Sequence, residues 1–574
     1  MLFRSLVIAA TTLRWRFEGR PPLRFWLERL TLTEQSVLTM SRLKKSLASL
    51  TFLISVAMLT RAETYDLIIR DGRVIDGTGS PASFADVAVK DGRIIAMGKL
   101  SGAATTTIDA KGLIVAPGFI DVHTHAENVE DLPLAENFLR MGVTTLVLGN
   151  CGGSALNVAE FFHKLEAKTI SPNVATLIGH NTVRSHVMGG SFNRPPTDGE
   201  LARMKELVEQ GMKDGALGFS TGLIYLPGTF AKTDEIIELA KVASAYDGLY
   251  VSHMRDEGPE IFDALNEVFQ IARAAGIRAH VSHIKLSGKP SWGRARKVIE
   301  LIEKARAEGL DVTQDQYAYT ASSTGISQLI PETAREGGKE KFLERINDPD
   351  QKAKIKDEMK AKLKRGQRDS YAYAVIAEYD KDASLNGKNL VEAAKLKRGS
   401  DSLDDQIELI LEIQAKGGAA GVFFGIDEDD LRLFMQHPNT MFASDSGVRK
   451  FQEGVPHPRG YGNNARILAN YVREMKLLRL EEAIRRMTSL PATTFRIQDR
   501  GQIREGNWAD LVVFNPATVQ ENATFNAPHA YATGFAAVIV NGVVVVKNDT
   551  HTGVRPGMIV RRNGSTTNPP PSRR

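Results

Sequence analysis

The stretch GFIDVHTH, residues 118–125, is an apolar run that stops on two histidines spaced two apart. On extended backbone, residues i and i+2 share a face, so the rings of His123 and His125 point the same way. The same form returns in TTLVLGNC (144–151), LYVSHMRD (249–256), RAHVSHIK (278–285) and TMFASDSG (440–447), each an apolar run closing on a potential metal ligand. Between these runs lie charged amphipathic segments such as DGELARMKELVEQGMKDG (198–215) and SWGRARKVIELIEKARAEG (291–309). Strand and helix alternating at this spacing predict parallel βα units, enough of them to close a (β/α)8 barrel over residues 119–498. In such a barrel the C-terminal strand ends converge on one face. His123, His125, Cys151, His253, His283 and Asp445 are then expected to form a ring of nitrogen, sulfur and oxygen donors that suits zinc.

Taken one at a time these residues have ordinary explanations. A His-x-His pair occurs by chance, a Cys after an apolar strand is usually a small core residue, and Ser-His can be a satisfied buried histidine. Asp445 could cap a helix or sit in a turn. The joint arrangement is harder to obtain from independent structural residues. Cys151 is also the only cysteine in 574 residues, so it can make no internal disulfide and is either inert or held by something other than sulfur.

The two ends of the chain read differently. YDLIIRDGRVIDG (65–77) and DVAVKDGRIIAMG (86–98) each place Asp-Gly between alternating apolar residues, the pattern of a β-hairpin. ADLVVFNP (509–516) and AVIVNGVVVVK (537–547) repeat that grammar. Residues 63–118 and 499–562 are therefore expected to build one small β-domain beside the barrel, giving an α/β chain overall. A polar interruption predicts a helical insertion at about 331–417, and residues 563–574 read as a disordered tail.

The net charge is +5, but residues 1–62 carry ten Lys/Arg against three Asp/Glu, so the remainder is close to neutral. A nucleic-acid partner loses its main support. From Met40 the leader has a basic start (Arg42, Lys44, Lys45), an uncharged stretch Ser46 to Thr60 and a small residue at Ala62, the form of a secretory signal peptide over 40–62. The expectation is export to the periplasm or medium with no stable membrane association after cleavage; residues 1–39 read either as sequence upstream of a true start at Met40 or as a disordered basic extension.

DVHTH after PGF, the C-terminal stretch LPATTFRIQDRGQIREGNWADLVVFNP and the split β-domain resemble the amidohydrolase superfamily. Within it, GNCGGS, GLIYLPGTFAKTDEI, SHMRDEG, SHIKLSGKPSWGR, and ASDSG followed by HPRGYG are similar to the D-aminoacylase (N-acyl-D-amino-acid deacylase) family. The resemblance runs from about Tyr65 to Arg561. It implies that Cys151 stands where many superfamily members use a carboxylated lysine to bridge two metals. It implies too that Cys151, His253 and His283 hold a tight zinc, while His123, His125 and Asp445 surround a weaker position that shares Cys151. The substrate implied is a small N-acyl-D-amino acid, hydrolysed to a carboxylate and a free D-amino acid.

Amide hydrolysis needs an activated water and a charge sink for the carbonyl oxygen, both of which zinc supplies. Asp445 is expected to take the proton from water and pass it to the leaving nitrogen. The substrate carboxylate must be paired when drawn into a site; Arg459 in HPRGYG and Lys285, two residues beyond His283 and assumed to share its strand face, are the candidates. Tyr317 and Ser323 in DQYAYTASSTG match a family stretch that lines the substrate pocket. His180 reads as a supporting residue at another strand end, whereas His163, His437 and His551 read as surface residues.

Three positions depart from the family pattern: HAENVEDLP lacks the family's usual acidic residue soon after the histidine pair, ASDSG has Ser446 before its Gly, and GHNTVR has Asn181 where Gly is common. Other functions share parts of this signature. A cyclic amidase of dihydroorotase or hydantoinase type and a D-residue-specific peptidase would use the same metal chemistry. A silent binding protein on the same scaffold would be expected to have lost ligands, and all six positions are filled. Oligomeric state is not legible in the sequence.

Overall fold

The computed structural model describes residues 64–564; the leader, residues 1–39 and all but the first two residues of the tail lie outside them. The chain opens with five strands: β1 (Thr64–Val74), β2 (Ser83–Lys90), β3 (Arg93–Gly98), β4 (Ala103–Asp109) and β5 (Ile114–Pro117). The Asp91-Gly92 hairpin between β2 and β3 forms as the sequence predicts. The expected hairpin at Asp71-Gly72 does not. There β1 runs straight through, with a register shift between Ile69 and Gly72 against β2. Asp71 adopts φ 54°, so the Asp-Gly pair bulges the strand instead of reversing it.

The barrel wall follows as β6 (Phe119–Asp121), β7 (Val143–Leu148), β8 (Asn173–Thr176), β9 (Ile178–Gly179), β10 (Gly218–Gly222), β11 (Leu249–His253), β12 (Arg278–Val281) and β13 (Val312–Gln316). β14 (Ala321–Gly325), β15 (Ala374–Glu378) and β16 (Ala420–Phe424) leave the wall, and β17 (Thr440–Phe442) rejoins it. Strands β6, β7 and β8 pair in parallel, and β9, β10, β11, β12, β13 and β17 do likewise. Only Leu177 separates β8 from β9, so they count as one wall strand. The ring closes where Asp445 N donates to His123 O at 2.9 Å and His125 N to Ser446 O at 2.9 Å.

Alternation along these strands sorts side chains to two faces. Ile120, Val147, Ala175, Val251 and Met441 come from β6, β7, β8, β11 and β17 and form one cluster with Phe495 and Ile497, which packs the lumen. Their neighbours Phe119, Leu146, Val174, Tyr250 and Phe442 belong to the outer core beneath the helices. Such a two-faced wall is the packing that makes short apolar strands read as near-continuous hydrophobic runs.

The inserted segment departs from the expected helical block. It leaves the wall by Ala321 and returns after Phe424, and besides its helices it contains the antiparallel sheet β14-β16-β15. Polar composition flagged the helices; the strands escaped because the sheet is only half buried, with burial alternating weakly. Finally β18 (Leu511–Phe514), β19 (Phe535–Val540), β20 (Val543–Lys547) and β21 (Thr550–His551) join the N-terminal strands through β18–β5 pairing, Leu511 opposite Pro117, to make a nine-stranded sheet. Among the described residues no helix is long and apolar enough to cross a membrane.

Candidate active site

The predicted ligands meet at the C-terminal mouth of the barrel. Cys151 Sγ lies 3.3 Å from His123 Nε2, 3.4 Å from His253 Nδ1 and 3.6 Å from His283 Nε2. Asp445 Oδ1 is 3.2 Å from His125 Nε2 and 3.6 Å from His123 Nε2. Three donor sets each have their atoms within 4.8 Å of one another: His123, His125, Cys151; Cys151, His253, His283; and His123, His283, Asp445. The spacing fits a metal. Bonds of about 2.3 Å to sulfur and 2.0 Å to nitrogen at a tetrahedral ion put two such donors about 3.5 Å apart.

Local backbone places these groups. His253 ends β11, whereas Cys151, His283 and Asp445 lie beyond their strands with φ of 53°, 32° and 51°. Left-handed backbone is costly for residues carrying a Cβ, and its clustering at one site marks the turns as held by their surroundings for function. Gly152, next to the thiol, has φ 76°, and a Cβ there would lie 2.3 Å from Asn181 Oδ1. Cys151 is therefore followed by glycine of necessity.

Electrostatics favour the ligating forms. Burial alone would push the Cys151 thiol up, but the imidazoles of His123 and His253 outweigh it and hold the thiol well below its usual range. Burial likewise opposes ionisation of Asp445, and the Arg459 guanidinium with His283 and His125 overcomes it, so Asp445 is an anion. Arg459 NH1 is 2.9 Å from Asp445 Oδ2.

Two carboxylates that sequence reasoning missed orient the histidines from behind. Glu257 Oε1 lies 2.8 Å from His283 Nδ1, and its other oxygen is 3.7 Å from His253 Nε2. Asp315 Oδ2 lies 3.3 Å from His123 Nδ1 and 2.8 Å from His280 Nε2, while Oδ1 accepts from His283 N. A carboxylate on the outer nitrogen of a ligating imidazole fixes its tautomer and raises its basicity. The signal for Glu257 was an acid four residues after His253 in SHMRDEG. For Asp315 it was an acid inside a strand, VTQDQ, that is buried at every position.

The four proposed substrate contacts fare differently. Lys285 is not on a strand face with His283, because β12 ends at Val281 and the chain turns at His283. Its Nζ donates to Glu257 Oε1 at 2.6 Å and to His283 O at 2.8 Å, so it lines the cavity but is already paired. Arg459, buried at the start of the helix Arg459–Arg466, donates to Ser323 O at 3.3 Å and stacks over the Tyr317 ring at 4.5 Å. Arg459 Nε and Tyr317 Oη are buried without a protein partner among the described residues, which leaves donors free for a ligand. Ser323 lies on the cavity wall.

That cavity, of about 300 Å³, is floored by His253, His283 and Asp445 and roofed by Leu329, Lys362, Arg368, Tyr371, Tyr373 and Phe423 of the insert. The remaining histidines sort by burial. His163 is exposed, but His437 is buried between Gln314 and Glu303, 2.8 and 2.9 Å away, and is no surface residue. His551 is half-buried. His180 is fully buried, 2.8 Å from Glu235, one layer behind the donor ring.

A closed parallel barrel with a Cys/His/Asp donor ring at its mouth defines a metal-dependent hydrolase of the amidohydrolase type. The family profile described as Amidohydrolase family matches residues 106–546, and the chain belongs to that family. It is 36% identical to a D-aminoacylase of Alcaligenes xylosoxydans xylosoxydans, covering 88% of this chain and 99% of that one. Among solved structures it is similar to a D-aminoacylase with a binuclear metal centre (TM-score 0.74, 34% identity, 87% of this chain and 100% of that one). An N-acyl-D-glutamate deacylase from Bordetella bronchiseptica, complexed with zinc and a phosphonate mimic of the tetrahedral intermediate, aligns over the same shares at TM-score 0.75 and 34% identity.

Proposed function

We propose that this chain hydrolyses the amide bond of N-acyl-D-amino acids, giving a carboxylate and a free D-amino acid, with zinc as its metal. The observation that carries the reading is the Cys151 thiol set among three imidazoles at 3.3–3.6 Å, with an ionised Asp445 alongside. Cys151, His253 and His283 would hold the tighter ion, and His123, His125 and Asp445 a weaker one. When bound, zinc lowers the pKa of water and polarises the amide carbonyl. Asp445 accepts the proton of the attacking water through its carboxylate and returns it to the leaving nitrogen. Arg459 holds Asp445 ionised until then. Its free Nε, with Tyr317 Oη, receives the substrate carboxylate, which gives these two buried donors the acceptor they lack while Asp445 keeps the other side of the guanidinium.

Glu257 occupies Lys285, so Lys285 contributes positive potential at the cavity floor and not a free grip on substrate. The leader makes the chain an exported enzyme; N-terminal sequencing of the protein recovered outside the cytoplasm should begin at Glu63. The function itself is tested by primary-amine release from matched N-acetyl-D- and N-acetyl-L-amino acids. Turnover of the D series alone is expected, and turnover of neither, with zinc bound, would overturn the assignment.

A further inference from the structure

Asn181 contributes nothing to the donor ring, yet its side chain is buried at the junction of three segments that support it. The helix His180–Met188 begins one residue before it. Asn181 Nδ2 donates to Gly222 O at 3.0 Å and to Tyr225 O at 3.4 Å, while Oδ1 accepts from Gly222 N at 3.4 Å and lies 3.2 Å from His180 Nδ1. His180 Nε2 in turn meets Glu235 at 2.8 Å, and Glu235 accepts from Arg184 Nε at 3.0 Å. The amide thus hangs from a buried ion-paired anchor.

The space around it is cut to fit. A Cβ on Gly152 would come 2.3 Å from Asn181 Oδ1, and one on Gly228 would come 2.7 Å from the same atom. Gly152 directly follows Cys151. Gly228 closes the loop that starts at Gly222, and that loop carries Tyr225. The Tyr225 ring meets His253 edge-on at 4.6 Å, its hydroxyl lies 3.3 Å from Thr324 Oγ1 of β14, and Ile224 and Tyr225 both line the cavity.

We propose that Asn181 is a positioning residue for the substrate side of the site. It holds the 222–228 loop through Gly222 and Tyr225, packs beside the Cys151 turn at Gly152, and so sets Tyr225 against the cavity. Glycine at this position would leave Gly222 O and Tyr225 O without their side-chain donor. The inference rests on the cavity being the deacylase site.

The test is Asn181→Asp, which keeps the shape but replaces the amide donor with a carboxylate facing two carbonyls, alongside Asn181→Gly, Tyr225→Ala and the double variant Asn181→Asp/Tyr225→Ala. Both Asn181 variants should bind metal at wild-type stoichiometry and raise KM about tenfold, the size of one lost buried hydrogen bond. Amides of residues 222–229 should exchange hydrogen faster in Asn181→Asp. The double variant should be no worse than Tyr225→Ala, because the two act through one element. Additive losses, a fall in active fraction at unchanged KM, or unchanged exchange in 222–229 would each overturn the proposal. If the wild type hydrolyses no N-acyl-D-amino acid, the functional reading fails, and the exchange measurement still decides whether Asn181 holds the loop.

Discussion

Cys151 is surrounded by three imidazole nitrogens and sits in left-handed backbone, followed by a glycine that also has positive φ. Replacing it with Ser removes the soft donor while keeping the size. Metal stoichiometry by atomic emission should fall, and turnover should drop with it. Gly152→Ala should act on the same ligand indirectly, since its Cβ would collide with Asn181; metal loss without a change in any donor is the expected result. Asp445→Asn is a different experiment. It keeps the hydrogen-bonding shape but cannot take a proton, so kcat should fall about 10²- to 10⁴-fold with the ion at Cys151, His253 and His283 retained. That His123, His125, Cys151, His253, His283 and Asp445 meet was legible in the sequence because each sits at or just past the end of an apolar run, where barrel topology sends it to the mouth. Glu257 and Asp315 were not, because a carboxylate behind a ligand is recognised only by what it touches, and their partners His283 and His123 are distant in the chain. Lys285 was misread by extending β12 four residues past its end.

At the scale of elements, the helices His180–Met188 and Thr233–Ser244 are joined by Arg184 and His180 on one and Glu235 on the other. Burial raises the Glu235 carboxyl, but His180 and Arg184 more than reverse that and hold it below the usual range. A depressed carboxylate stabilises the fold above its unfolded pKa, and that contribution is lost as pH falls through the folded value. Glu235→Gln should therefore cost about 3–5 kcal/mol at neutral pH, leaving Arg184 buried and unpaired, and the difference from wild type should shrink on acidification below about pH 4. Urea denaturation at pH 7 and at pH 3.5 checks both. The sequence showed these elements well where period and turn agreed, as at Asp91-Gly92. It failed at Asp71-Gly72, where pairing of β1 with β2 across a bulge, through Leu67–Val89 on one side and Gly72–Ala85 on the other, outweighed the turn chemistry of the two residues. It also missed the sheet in the insert, whose strands are short and half solvated.

At the scale of the whole molecule, the barrel supplies a rigid ring of ligands while the insert roofs the cavity with Tyr371, Tyr373 and Phe423. The cavity is thus lined by both parts of the chain, with the insert contributing most of its bulky side chains. Tyr373→Ala should raise KM for bulky substrates while leaving metal content and kcat for small ones near wild type, measured by steady-state kinetics over a substrate series. Chelation should abolish turnover without unfolding the barrel, since its lumen is closed by apolar packing that involves none of the ligands; circular dichroism before and after chelation reads this. The claim on which the rest depends is that the lone thiol holds the metal. X-ray absorption at the zinc edge of the loaded protein measures it directly. One sulfur at about 2.3 Å among nitrogen and oxygen donors at about 2.0 Å is the predicted first shell, and a shell of nitrogen and oxygen alone would contradict it.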